Sequence, residues 1–202
     1  ILLCEDFDLG SNALPPSMQP GPLTGTIEST IGVPGHLGAT VDGQFGQAYV
    51  DVLKLNTGPK FFAAMDILIE KEILPEWGTV EIVSWGNLSA DPPHGARLTV
   101  SRVHTATESL VFRLFDANNN PPKLETFAIK SLGWHRIAFE GVGSNPGAGV
   151  RLSVDDLTPR VVRWDLPAPP TVLRLGVTKD NSGALTGPFG ASFDSVLVFN
   201  RP

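Results

Sequence analysis

The chain has 202 residues, 42% of them hydrophobic, with 15 basic and 21 acidic side chains and a net charge of −6. That apolar fraction supports a packed core and excludes disorder, while an acidic balance without a basic run excludes nucleic acid, whose binding depends on Lys and Arg neutralising phosphates. No stretch approaches the ~18 consecutive apolar residues of a membrane span, and 21 Gly with 18 Pro interrupt the chain often.

At this length one domain over residues 1–202 is expected, because all-β sandwiches run to about 200–250 residues as a single unit. An opening residue other than Met is expected of a mature product or an excised domain. One cysteine, Cys4, excludes an internal disulfide or a Cys-based zinc site, and it reads as a buried thiol on the first strand. A lipoprotein reading of Leu2-Leu3-Cys4 meets a bulky Leu3 where a small residue is required. Ile67 to Leu74 is the best helical stretch, and it stops at Pro75. Strand patterns dominate the rest. Leu98 to Val103 alternates, and Arg136 to Glu140 sets Ile137 and Phe139 on one face. Val150, Leu152 and Val154 point inward, with Arg151, Ser153 and Asp155 outward. Leu110 to Phe115 and Phe193 to Phe199 are richer in apolar residues and read as deeply buried strands. Turn clusters at 91–95, 118–122, 141–149, 167–170 and 180–183 separate them. About a dozen strands at a spacing of roughly 8–12 residues predict an all-β, two-sheet antiparallel β-sandwich.

Three ordered segments resemble the concanavalin A-like and laminin G-like jelly-roll superfamily. They are Gly43-Gln-Phe-Gly-Gln-Ala-Tyr-Val50, then Gly133-Trp-His-Arg-Ile-Ala-Phe139 followed by Val150-Arg-Leu-Ser-Val-Asp155, and finally Leu173-Arg-Leu-Gly-Val177 with Phe193 to Arg201. The resemblance implies a jelly roll of about a dozen strands with one concave face. It also implies an opening strand around Phe7 to Gly10 beside the last strand, and Trp134 in the core. Asp156 stands where the family has a turn Gly. The fold hosts lectins, adhesion modules and glucanases, so function rests on the site.

Retaining glucanases of this fold carry two carboxylates about 5–5.5 Å apart, one nucleophile and one acid/base. The nearest look-alike, Glu81-Ile-Val-Ser-Trp-Gly86, has Val83 and Trp85 or Gly86 in the other acidic positions. The four histidines, at 36, 94, 104 and 135, are scattered without metal spacing. His135 is expected to have a hydrogen-bonded structural role. No nucleophile elbow or phosphate loop is present, so no enzyme activity is expected.

Sugar rings stack on exposed aromatics while carboxylates and amides read their hydroxyls. Trp77, Trp85 and Trp164 are the candidate platforms, with Glu81 as a polar contact or a solvated strand residue. Each Trp is otherwise core or a lid on it. Calcium needs six to eight oxygens. Its candidates are Asp8 and Asp194, with Glu5 and Asp6, where the chain ends would meet, and Asp180 with Asn181 in a loop that also reads as plain turn chemistry. The leading expectation is a non-catalytic extracellular or cell-surface recognition module binding carbohydrate with calcium support. The alternatives are an adhesive subunit that binds proteins or itself, and a diverged glycan hydrolase or lyase using Glu81, Arg102, Arg113 and His104.

Overall fold

A computed structural model describes residues 3–5, 7, 14–21, 25–30, 36–42, 47–52, 60–69, 79–87, 94–103, 109–116, 124–129, 133–142, 149–163, 171–180 and 188–200. They form fifteen strands: β1 Leu3–Glu5, β2 Met18–Pro20, β3 Thr26–Thr30, β4 His36–Asp42, β5 Ala48–Val52, β6 Phe61–Ile69, β7 Thr79–Asn87, β8 His94–Val103, β9 Ser109–Asp116, β10 Leu124–Ile129, β11 Gly133–Val142, β12 Gly149–Val154, β13 Arg160–Arg163, β14 Val172–Asp180 and β15 Pro188–Asn200. Every pairing is antiparallel. One sheet runs β13-β12-β11-β6-β15-β4-β3 with β1 also on β15, and the other runs β10-β9-β8-β7-β14-β5-β2. The expected two-sheet antiparallel sandwich is what forms.

Alternation builds the core between the sheets. Val150, Leu152 and Val154 of β12 are buried, as are Ile137 and Phe139 of β11, and the two strands pair in register with Leu152 opposite Phe139. On β6 the residues that enter the core cluster are Phe61, Ala63, Met65, Ile67 and Ile69, a period of two, with Ala64 buried on the other face. That period overturns the helical reading of Ile67 to Leu74 for residues 67–69; residues 70–74 lie outside the described set.

β15 carries a bulge that organises its sheet. Asp194 faces Asp66, but the next pair is Leu197 with Ala64, so β15 holds one residue more than β6. Ser195 adopts φ 49°, and its N–H donates to Asp194 Oδ1 at 2.6 Å. Before the bulge β15 pairs with β4, and after it with β1. The first strand does lie beside the last, as the family resemblance implied. It consists of residues 3–5, however, earlier than Phe7 to Gly10. Cys4 is exposed rather than buried, because alternation on this edge turns Leu3 inward.

Candidate functional site

The outer face of the seven-stranded sheet is polar because of a second bulge. Glu81 faces Thr99 and Val83 faces Leu98, so Ile82 is an extra residue on β7. Simple alternation would keep Glu81, Val83 and Trp85 on one face. The bulge instead turns Ile82, Val83 and Trp85 all into the core and sets Ser84 beside Glu81 on the outside. Glu81 is nevertheless only 4% exposed. Ser84 Oγ donates to Glu81 Oε1, and Arg97 Nη1 lies 3.5 Å from Glu81 Oε2. Thr99, opposite Glu81, is fully buried, and its hydroxyl has no hydrogen-bond partner among the described residues.

Ser84 begins a row across four strands. Its neighbours are Arg97 on β8 and Arg174 on β14, and Arg174 in turn faces Asp51 on β5. The Arg174 fork is bidentate, with Nε donating to Asp51 Oδ1 at 2.6 Å and Nη2 to Oδ2 at 2.9 Å. The guanidinium also lies 4.0 Å over the Tyr49 ring. Burial alone would lower the Arg174 pKa. The hydrogen bonds and charge of Asp51, with Tyr49 and Glu81, outweigh that and hold it above its ordinary value. Gly21 makes room for the aromatic ring, since a Cβ there would sit 2.1 Å from Tyr49 Cε2. The site is thus a preorganised band of forks and hydroxyls: Arg97, Glu81, Ser84, Arg174 and Asp51.

The sequence reading found Glu81 in this band and missed the other four. The signal was present, because Arg97, Thr99 and Ser101 alternate with Leu98 and Val100, but the phase shift at Ile82 was not visible. Trp85 is no platform: it is 1% exposed and stacked on Phe61 at 4.6 Å. Trp77, Trp164, Asp8, Asp6, Asn181 and His104 lie outside the described residues. Asp180 ends β14 opposite Val80, and Glu5 pairs with Val196, which brings the chain ends together as expected. Asp194 faces Asp66 rather than another proposed ligand. Among the described residues no group of three or more metal-ligating side chains occurs. Arg113 stands opposite Thr99, and Arg102 opposite Leu110. His135 takes the structural role expected of it, with Nδ1 2.8 Å from Asp155 Oδ2.

Trp134 is the clear correction. It is 40% exposed, on the outer face of the eight-stranded sheet. Its alternation partners His135, Ile137 and Phe139 take the inward positions, which leaves Trp134 and Arg136 outside.

The fold is the concanavalin A-like jelly roll, shared with several solved structures at low identity. A cellulose-induced protein, Cip1, matches over 98% of both chains at 10% identity and a TM-score of 0.66. The Crh5 transglycosylase, solved with NAG, matches at 16% identity over 99% of this chain and 84% of its own, with a TM-score of 0.61. A botulinum neurotoxin type C structure, described as dependent on two ganglioside molecules for cell entry, matches at 12% identity over 90% of this chain, with a TM-score of 0.61. The chain spans less than half of the toxin chains it matches, 42% in that case. No protein-family model matches the sequence, and no match to it was found among curated proteins. Among the described residues no helix is long and apolar enough to cross a membrane.

Proposed function

We propose that this chain is a non-catalytic, extracellular carbohydrate-recognition module whose ligand lies on the outer face of the seven-stranded sheet. The observation that carries this reading is the band of Arg97, Glu81, Ser84, Arg174 and Asp51. Forked guanidinium and carboxylate groups suit adjacent hydroxyls, and these are held by one another before any ligand arrives, which limits the ordering cost of binding. Ganglioside recognition by a toxin of this fold supports the ligand class. A glucanase mechanism needs a second carboxylate at about 5–5.5 Å. Glu81 is the sole acid of β7, and its partners here are a hydroxyl and a guanidinium.

A glycan array run on the wild type, Arg97→Ala and Glu81→Gln, each with and without a calcium chelator, tests this. Binding to one glycan class that both variants lose is the expected result. Loss on chelation supports calcium as part of the proposal. A blank array, or binding indifferent to both variants, overturns the reading for this face.

A second reading, an adhesive subunit that pairs with proteins or with itself, draws on Leu157 and Val161. Both are exposed, Val161 on edge strand β13 and Leu157 in the turn that leads into it, where an edge could take another strand. Light scattering that shows a monomer at all concentrations would remove self-association.

A further inference from the structure

The outer face of the other sheet carries a second constellation, built around Trp134. Backbone register places Trp134 beside Leu68 of β6, then Ser192 of β15, then Gly38 of β4. Three strand spacings separate β11 from β4, about 14 Å. Yet the Trp134 and His36 rings meet edge to face with centroids 6.2 Å apart. Both side chains therefore lie down along the sheet toward each other, across half-buried Leu68 and Ser192. The two ring planes stand 69° apart, and the indole keeps 40% of its surface open to solvent.

The next row along the strands is charged. Arg136 faces Asp66, and Asp66 faces Asp194. Arg136 Nη1 donates to Asp66 Oδ2 at 3.0 Å and to the Ser195 carbonyl at 3.3 Å, so the guanidinium bridges two strands at the bulge. Two carboxylates directly opposite one another repel unless each is compensated; Arg136 pairs with Asp66, and Asp194 Oδ1 accepts the Ser195 N–H. Farther along the same face Phe62 and Phe199 stack with centroids 4.9 Å apart. Phe62 is six residues from Leu68 on β6, roughly 20 Å at the rise of a strand. The face thus runs from an exposed indole, over a carboxylate and guanidinium cluster, to a second aromatic pair.

We propose that this strip is a second carbohydrate-binding surface, independent of the seven-stranded face, for an extended neutral polysaccharide chain lying along β6. The apolar C–H faces of the sugar rings would stack on Trp134 and on the Phe62–Phe199 pair. Asp66, Asp194 and Arg136 lie between them at the level of the ring hydroxyls and provide both acceptors and donors. A protein partner would be served by a broad apolar patch, whereas a charged cluster between two separated aromatics matches an alternation of C–H faces and hydroxyls.

Affinity electrophoresis in gels containing hydroxyethylcellulose, laminarin or xylan tests the proposal. The proteins are the wild type, Trp134→Ala, Trp134→Phe, Asp66→Asn and Arg97→Ala, each checked for folding by near-ultraviolet circular dichroism. The wild type should be retarded by at least one polysaccharide. Trp134→Ala should weaken that retardation about tenfold or more, the scale of one stacked aromatic in a sugar site. Trp134→Phe should keep most of it, and Asp66→Asn should lose part. Loss in Arg97→Ala with full retention in Trp134→Ala would assign all binding to the seven-stranded face and overturn this proposal while sparing the other. Absence of retardation by every polysaccharide would also overturn it. So would a wild-type dimer that Trp134→Ala converts to monomer, which would make the strip an interface between copies. Should Trp134→Ala fail to fold, Trp134→Phe and Asp66→Asn carry the decision, and unchanged retardation in Asp66→Asn then counts against the proposal.

Discussion

His135 Nδ1 lies 2.8 Å from Asp155 Oδ2, a hydrogen-bond contact that ties the strand opening Gly-Trp-His to the turn after β12. The same carboxylate accepts the Arg136 N–H through Oδ1 at 2.8 Å, and the Asp155 N–H donates to the Arg136 carbonyl at 2.8 Å. Asp155 also adopts φ 46°, the left-handed conformation that the turn requires. Asp and Asn tolerate that region better than other residues with a Cβ. Asp155→Ala should therefore lose two side-chain bonds and strain the turn, a cost of about 2–3 kcal/mol. For a chain of this size that is a fall of roughly 4–12 °C in Tm. Asp155→Asn should keep the turn and the Arg136 bond and lose less than half as much. Thermal unfolding of the two variants checks this, and equal losses would show that the His135 contact dominates.

Gly176 occupies φ +117°, and a Cβ built there would lie 2.3 Å from the Ala48 carbonyl oxygen and 2.8 Å from the Tyr49 Cα. Both obstacles are backbone of the paired strand β5, so neither can swing aside. It also sits in the irregular stretch of β14 between Leu175 and Lys179, where pairing to β7 shifts register. Gly176→Ala should cost 3 kcal/mol or more, at about 1–2 for the dihedral alone plus the steric term. Little soluble, folded protein is the expected outcome. A variant with wild-type Tm would mean that β5 and β14 are not this close.

Much of this architecture was legible because a half-buried strand writes its two faces into alternate letters. β12 shows it plainly, with three buried aliphatics separated by Arg151 and Ser153. The same alternation that set Ile137 and Phe139 inside also set Trp134 outside. The core assignment of Trp134 came from the family resemblance and not from its phase. The seven-stranded face was illegible for another reason. A bulge at Ile82 moves Trp85 off the face of Glu81 and brings Ser84 onto it, and no local pattern in Glu81-Ile-Val-Ser-Trp announces the extra residue. Arg174 and Asp51 are 123 positions apart in the chain, so their meeting depends on strand order alone. The helical reading at Ile67 took in only the last three residues of β6, too few to show its period of two.

Trp85 packs against Phe61 with ring planes 19° apart, and its indole Nε1 is buried with no hydrogen-bond partner among the described residues. Trp85→Ala should cost about 3–5 kcal/mol through the cavity it leaves. Trp85→Phe loses some volume but removes the unsatisfied donor, and the two effects oppose each other, so its cost should stay below about 2 kcal/mol. Urea unfolding read by fluorescence measures both. Sugar binding by the folded Trp85→Phe protein should match the wild type. A selective loss of binding would place the indole within reach of ligand after all.

The Arg174–Asp51 pair separates charge from geometry on the seven-stranded face. Both side chains are mostly buried, with about a fifth of each exposed, and two hydrogen bonds join them. Arg174→Ala leaves a carboxylate with neither bond and should cost about 2–3 kcal/mol. Arg174→Lys keeps the charge and loses the fork, and it should recover less than half of that. The pH dependence follows from the raised Arg174 pKa. A folded-state pKa above the unfolded one makes the contribution fully present below the unfolded value. It is lost only as pH rises through the folded value, beyond the ordinary arginine range above about 12. The Arg174→Ala penalty should therefore stay constant from neutral pH through the moderately alkaline range in chemical denaturation. A penalty that faded there would mean that Arg174 is not held by Asp51 in the folded protein, and the band that orders the proposed sugar site would lose its anchor.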